Sequence, residues 1–107
     1  MVNNNKSWTA LLGLAYRARK VVTGEETVIQ AIRRGQAKLV LLSDDASNRT
    51  TKTVTDKCQY YGVPYIVCSD RKTLGQAIGK AERVVIAITD RGFGDKLQSL
   101  IESNHRG

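Results

Sequence analysis

The 107-residue sequence predicts an α/β protein, a three-layer α/β/α sandwich built on a small, largely parallel mixed sheet. Three observations carry this expectation. Short apolar runs alternate with segments of helical periodicity along the whole chain. The central run Leu39-Val40-Leu41-Leu42 is apolar without alternation, as suits a strand covered on both faces. Glycines stand where the helical segments should end, a common way for a chain to leave a helix.

Each element has its own justification. Residues 1–6 are polar and Asn-rich and are expected to fray. Trp8, Leu11, Leu12 and Ala15 fall at helical spacing, with Ser7 as a candidate N-cap. Val21-Val22 is a very short β segment. Thr23-Gly24-Glu25-Glu26 has capping-box spacing, a Thr followed three residues later by Glu. It should open a second helix through Val28, Ile29, Ala31 and Ile32, stopped at Gly35. A strand over 37–43, a turn at Asp44-Asp45-Ala46-Ser47 and a helix over 48–61 ended by Gly62 follow. The next strand covers 63–68, with Pro64 near its start, where a missing N–H matters least. A short helix over 72–78 and a last strand over 83–89 precede Gly92-Phe93-Gly94. A closing helix then runs through Leu97, Leu100 and Ile101, and 103–107 should form a second frayed end. One domain, 1–107, accounts for the length and is large enough to bury a core without disulfide or metal staples.

Charge narrows the function. Seventeen Lys and Arg face ten Asp and Glu, a net of +7, which favours a polyanionic partner. Residues 1–40 hold seven bases against two acids, so the N-terminal part is expected to meet that partner first. The apolar run Leu11 to Ala15 is short and followed directly by charges, unlike a secretory leader. No apolar stretch reaches membrane-spanning length. Cys58 and Cys68 lack a metal-ligand pattern and read as reduced thiols. A cytoplasmic, monomeric protein without membrane contact is expected.

Enzyme signatures fail in turn. The single histidine, His105, lies in the expected polar tail, which removes Ser-His-Asp and Cys-His arrangements. Gly75-Gln76-Ala77-Ile78-Gly79-Lys80 spaces its glycines one residue too closely for a phosphate-binding loop, and Ala81 follows where Ser or Thr belongs. Gly92-Phe93-Gly94 lacks the third glycine of a dinucleotide fingerprint, Leu97 standing in its place. Asp44-Asp45 at a strand end suits Mg²⁺, yet no third carboxylate is near in sequence and a turn explains both residues. No catalytic residue, metal or cofactor is expected.

The constellation around Gly24 is richer. A short strand leads into a glycine and a helix start, whose free N–H groups attract a phosphate or a base edge. Gln30 and Arg34 are four apart and Arg33 is three from Gln30, which makes one donor-rich face. Such a face holds nucleic acid by polar readout and phosphate contacts; equally, it describes a capped surface helix with solvated arginines.

Lys20 to Thr27, Gly35 and Ala37-Lys38-Leu39-Val40 together resemble the kink-turn-binding ribosomal protein family. Val63-Pro64-Tyr65 and Leu74-Gly75-Gln76-Ala77-Ile78-Gly79 match it further on, in order and spacing, and Leu11 to Val22 looks most like a bacterial branch. The likeness covers residues 8 to about 102. It implies an α/β/α sandwich that grips a sharply bent RNA. On the matching positions it implies RNA contacts at Gly24, Glu25, Glu26, Thr27, Gln30, Arg33 and Arg34. A second, mostly apolar loop covering an extruded base maps onto Val67, Cys68, Ser69 and Asp70, with Arg71 and Lys72 beside it for phosphates. The family's first loop typically reads Gly-x-Asn-Glu, or Lys-Gln at its last two places in some bacterial relatives; here those places hold Glu26 and Thr27. An amide donates and accepts, whereas a carboxylate only accepts. The expected function is therefore non-enzymatic binding of structured RNA in the ribosome or translation apparatus, ribosomal RNA or another kinked RNA, with ribosomal proteins as further partners. A protein–protein adaptor on the same fold is the alternative.

Overall fold

The computed structural model describes the backbone of residues 4–106 and the side chains of 8–103. Nine elements follow one another: α1 (Asn4–Arg17), β1 (Val21–Thr23), α2 (Glu25–Arg33), β2 (Leu39–Ser43), α3 (Asn48–Tyr61), β3 (Tyr65–Ser69), α4 (Arg71–Ala77), β4 (Val85–Ile88) and α5 (Arg91–Arg106). The strands form one sheet in the order β1-β4-β2-β3.

Strand periodicity sorts the core into two layers. Leu39, Leu41, Ile86 and Ile88 face one side of the sheet, where Trp8, Leu12 and Ala15 of α1, Leu74 of α4, and Leu97 and Ile101 of α5 cover them. Val40, Leu42, Val85 and Ala87 face the other side, under Val28, Ala31 and Ile32 of α2 and Val54 and Cys58 of α3. Every residue of β2 and β4 is buried, which is why the sequence at 39–42 shows no polar alternation. The three-layer sandwich and mixed sheet are present as expected.

The sheet is nevertheless not largely parallel. Only β2 and β3 pair in parallel; β4 runs antiparallel to both β1 and β2. The reason lies in the path after α4. The connection from β3 to β4, residues 70–84, is long enough for a parallel crossover, but its second half doubles back, the Arg83 N–H donating to the Arg71 carbonyl at 3.0 Å. The chain turns back directly, with the Lys80 N–H donating to the Gly75 carbonyl at 2.9 Å, and enters β4 from the end it has just reached.

Several boundaries also move. The expected capping box at Thr23 and Glu26 does not form: Thr23 pairs with Ile86 in the sheet, and the N-cap is Gly24, without a side-chain cap bond. Ser7 lies inside α1 rather than before it. Gly92 and Gly94 lie within α5, whose start is fixed by the Asp90 carboxylate accepting from the Phe93 N–H at 2.9 Å. Residues 4–6 and 103–106 are helical where frayed ends were expected, while 1–3 and 107 lie outside the described residues. His105 accordingly falls in α5 and not in a tail; its side chain is outside the described set. Gly35 does end its helix as expected, its N–H donating to Ile32 at 3.2 Å and that of Gln36 to Ala31 at 2.9 Å, a Schellman pattern.

Candidate nucleic-acid interface

The register fixes which loops meet. Thr23 stands opposite Ile86, and Leu42 opposite both Val85 and Val67. The C-terminal ends of β1, β2 and β3 and the start of β4 therefore share one end of the sheet. Gly24, Asp44 to Ser47, Asp70-Arg71 and Glu82 to Val84 converge there.

A cleft of about 540 Å³ opens between these segments. One wall is Thr23, Gly24 and Glu25, and the first turn of α3 adds Ser47 and Thr50. Arg71 and the strand entry Glu82-Arg83-Val84-Val85 close the far side. The Gly24 N–H donates to the Val85 carbonyl at 3.1 Å, which ties the two walls together. Glu25 is half-buried, and its carboxylate accepts from the Thr50 hydroxyl at 2.9 Å, joining α2 to α3. That carboxylate also sits in the first turn of α2, where the helix dipole favours a negative charge.

Arg71 is held by Asp45. Its Nε lies 3.3 Å from the carboxylate, and its terminal nitrogen donates to the Asp45 carbonyl at 2.6 Å. Partial desolvation pushes the Asp45 carboxyl up, but the Arg71 guanidinium and backbone N–H outweigh it and hold it below its ordinary value. The Arg71 carbonyl in turn accepts from the Arg83 N–H at 3.0 Å. Two guanidinium groups and two carboxylates, Glu25 and Glu82, thus line one polar cleft. Mixed donors and acceptors suit a base edge better than a bare phosphate.

The expected site residues separate into three groups. Gly24, Glu25 and Arg71 line the cleft together. Glu26, Thr27, Gln30 and Arg33 are exposed along α2 and Arg34 at its C-cap, yet Arg33, at the far end of that helix, lines a different cleft. Val67, Cys68, Ser69, Asp70 and Lys72 do not line the Gly24 cleft. Val67 is 42% exposed in the edge strand, Asp70 caps α4 by accepting from the Thr73 N–H at 2.7 Å, and Lys72 is exposed. Sequence reasoning missed Ser47, Thr50, Glu82, Arg83, Val84 and Val85, because only the antiparallel entry of β4 brings 82–85 beside Gly24.

Neither thiol is poised for chemistry. Burial pushes Cys58 up to about 11, and burial with the nearby Asp44 charge pushes Cys68 up to about 12. At pH 8 the thiolate fraction of each is on the order of one in a thousand or less. Native protein should consequently label with iodoacetamide far more slowly than urea-unfolded protein. The sign for stability follows: the folded state favours the neutral thiols, so their contribution is complete below pH 9 and is lost as pH rises through 11 to 12. Comparing unfolding at pH 8 and pH 10.5 checks it. Among the described residues no group of three His, Cys, Asp or Glu is placed to hold a metal ion, Asp45 being engaged by Arg71. No helix of the described residues is long and apolar enough to cross a membrane.

Fold and site define a class: a small α/β/α sandwich whose loop end presents a polar cleft beside an exposed, donor-bearing helix. The family model for the ribosomal protein L7Ae/L30e/S12e/Gadd45 family matches residues 6–98, and the chain belongs to that family. It is 60% identical over 95 residues to the RNA-binding protein YlxQ of Bacillus subtilis, covering 89% of this chain and 95% of that protein. It is 31% identical over 94 residues to the large ribosomal subunit protein eL8 of Thermoplasma acidophilum, covering 87% of this chain and 78% of that one. Among solved structures, a protein of unknown function from Bacillus halodurans superposes with a TM-score of 0.87 at 53% identity, covering 89% of this chain and 96% of that one. A Giardia lamblia 15.5kD RNA binding protein shares the fold, with a TM-score of 0.79 at 19% identity over 96% of this chain and 90% of that one.

Proposed function

We propose that this chain is a non-enzymatic RNA-binding protein of the ribosome or translation apparatus, acting in the cytoplasm as a monomer on structured, kink-turn-like RNA. One observation carries the reading: the Gly24 cleft opens beside an exposed α2 face bearing Glu26, Thr27 and Gln30. The names of its relatives, an RNA-binding protein and a ribosomal protein, support it. The Thr50 hydroxyl engages one oxygen of Glu25, so Glu26 is the freer of the two adjacent carboxylates to meet RNA. It accepts from guanine N–H groups, while donors come from Gln30 and the guanidinium groups.

The test is a titration against a kink-turn RNA and the same duplex without its bulge, at low and near-physiological salt. A preference of about tenfold or more for the kinked RNA that persists as salt rises is expected. Equal, steeply salt-dependent binding to both would leave only phosphate attraction and refute shape recognition. Glu26 has no hydrogen-bond or ion-pair partner among the described residues, which favours a second reading, a protein–protein adaptor. That reading requires a partner that still co-purifies after nuclease treatment.

A further inference from the structure

The opposite end of the sheet carries a second cleft, of about 330 Å³, between the C-terminal ends of α2 and α3 and the start of α5. From the Gly24 cleft it is separated by the length of β2, roughly 17 Å for five residues. Arg33, Lys38 and Arg91 line it against a single carboxylate, Asp95, and Tyr61 and Pro64 form its apolar edge. Arg33 and Arg91 make no ion pair or side-chain hydrogen bond among the described residues. Lys38 donates to the Gly35 carbonyl at 3.0 Å and keeps further N–H donors free.

Beside these charges stand exposed aromatic rings. Tyr61 is 43% exposed and Tyr60 81%, and the two meet edge-to-face with centroids 4.9 Å apart. The contact orients the Tyr61 ring at the rim of the cleft. Neither ring is needed by the core, since the layer beneath is closed by Val54 and Cys58. Cations with an oriented, solvent-facing ring match a ligand that carries phosphates and flat bases together. An acidic peptide would satisfy the cations and leave the ring unused.

We propose that this cleft is a second nucleic-acid contact that takes single-stranded RNA, stacking a base on Tyr61 and holding flanking phosphates on Arg33, Lys38 and Arg91. It goes beyond the kinked-duplex reading and does not depend on it, because the two clefts occupy opposite ends of the sheet.

The probe is a fluorescently labelled ten-nucleotide oligouridine, titrated against the full chain and against Arg91→Glu, Tyr61→Ala and Tyr61→Phe. An acidic residue at a helix start is favourable and Tyr61 is exposed, so the variants should fold. Arg91→Glu should weaken binding about tenfold and flatten the salt slope by about one. Tyr61→Ala should weaken it about tenfold, and Tyr61→Phe, which keeps the stacking face, should bind like the unaltered chain. Binding of the bulged duplex should be unchanged by Arg91→Glu. The proposal is overturned if the oligouridine does not bind, if Arg91→Glu and Tyr61→Ala bind it normally, or if Tyr61→Phe loses as much as Tyr61→Ala. A parallel loss of duplex and oligouridine binding in Arg91→Glu would reduce the effect to general electrostatics and also refute it. So would preferential binding of a poly-glutamate peptide, which would assign the cleft to an acidic protein.

Discussion

Gly75→Ala is expected to destabilise the protein by about 2 kcal/mol and to weaken RNA binding at the same time. In an open helix this change would stabilise by about 0.5–1 kcal/mol through propensity alone. Here an added Cβ would fall on the Ala81 carbonyl oxygen, with the Ala81 carbonyl carbon 2.6 Å away and the Glu82 Cα 3.0 Å away. All three are backbone atoms, so no rotamer change relieves the contact. Overpacking of this kind costs about 1–3 kcal/mol, and the clash wins. For a domain of this size the midpoint should fall by about 8–16 °C, read by circular dichroism. The effect on binding comes from what must move. Displacing Ala81 and Glu82 shifts Arg83, whose N–H donates to the Arg71 carbonyl at 3.0 Å, so one wall of the Gly24 cleft goes with it. A variant as stable and as active as the parent would show that α4 and the following loop are looser than this packing requires.

Gly75 also marks the limit of what the sequence makes legible. The layers were readable because burial writes itself into periodicity. Leu39 to Leu42 has no polar position to spare, and Trp8, Leu12 and Ala15 recur on one helical face. Sheet direction was not readable, because it depends on the path after α4, and nothing in Leu74 to Gly79 states that the chain doubles back to Arg71 before it enters β4. Once β4 is reversed, Glu82 to Val85 arrive at Gly24, and Arg33 faces away toward Lys38 and Arg91. Helix α2 is nine residues, about 13 Å long. Residues that share a face by spacing can therefore serve opposite ends of the molecule. The capping box misled for a related reason: Thr23 has the right chemistry to cap, but the ladder with Ile86 holds it in the strand.

Gly24→Ala separates folding from recognition at this site. Gly24 adopts φ 96° and ψ 142°, a conformation close to the region that only glycine occupies at low cost. An alanine there should destabilise the fold by about 1–3 kcal/mol through backbone strain alone. It meets no steric penalty inside the protein, since no heavy atom lies within 4 Å of an added Cβ. That same open space belongs to the cleft, where a ligand would need to approach the backbone. The methyl group should therefore cost binding more than the folded fraction explains, about 2 kcal/mol or roughly thirtyfold in affinity for the kinked RNA. The contrast with Gly75 makes the result interpretable: one glycine is filled from within by its own chain, the other stays empty toward solvent. Affinity measured well below the melting transition and scaled by the folded fraction distinguishes the cases. If Gly24→Ala loses stability while its folded molecules bind kinked RNA as tightly as the parent, the strain at Gly24 serves only to start α2, and the RNA contact lies elsewhere on the surface.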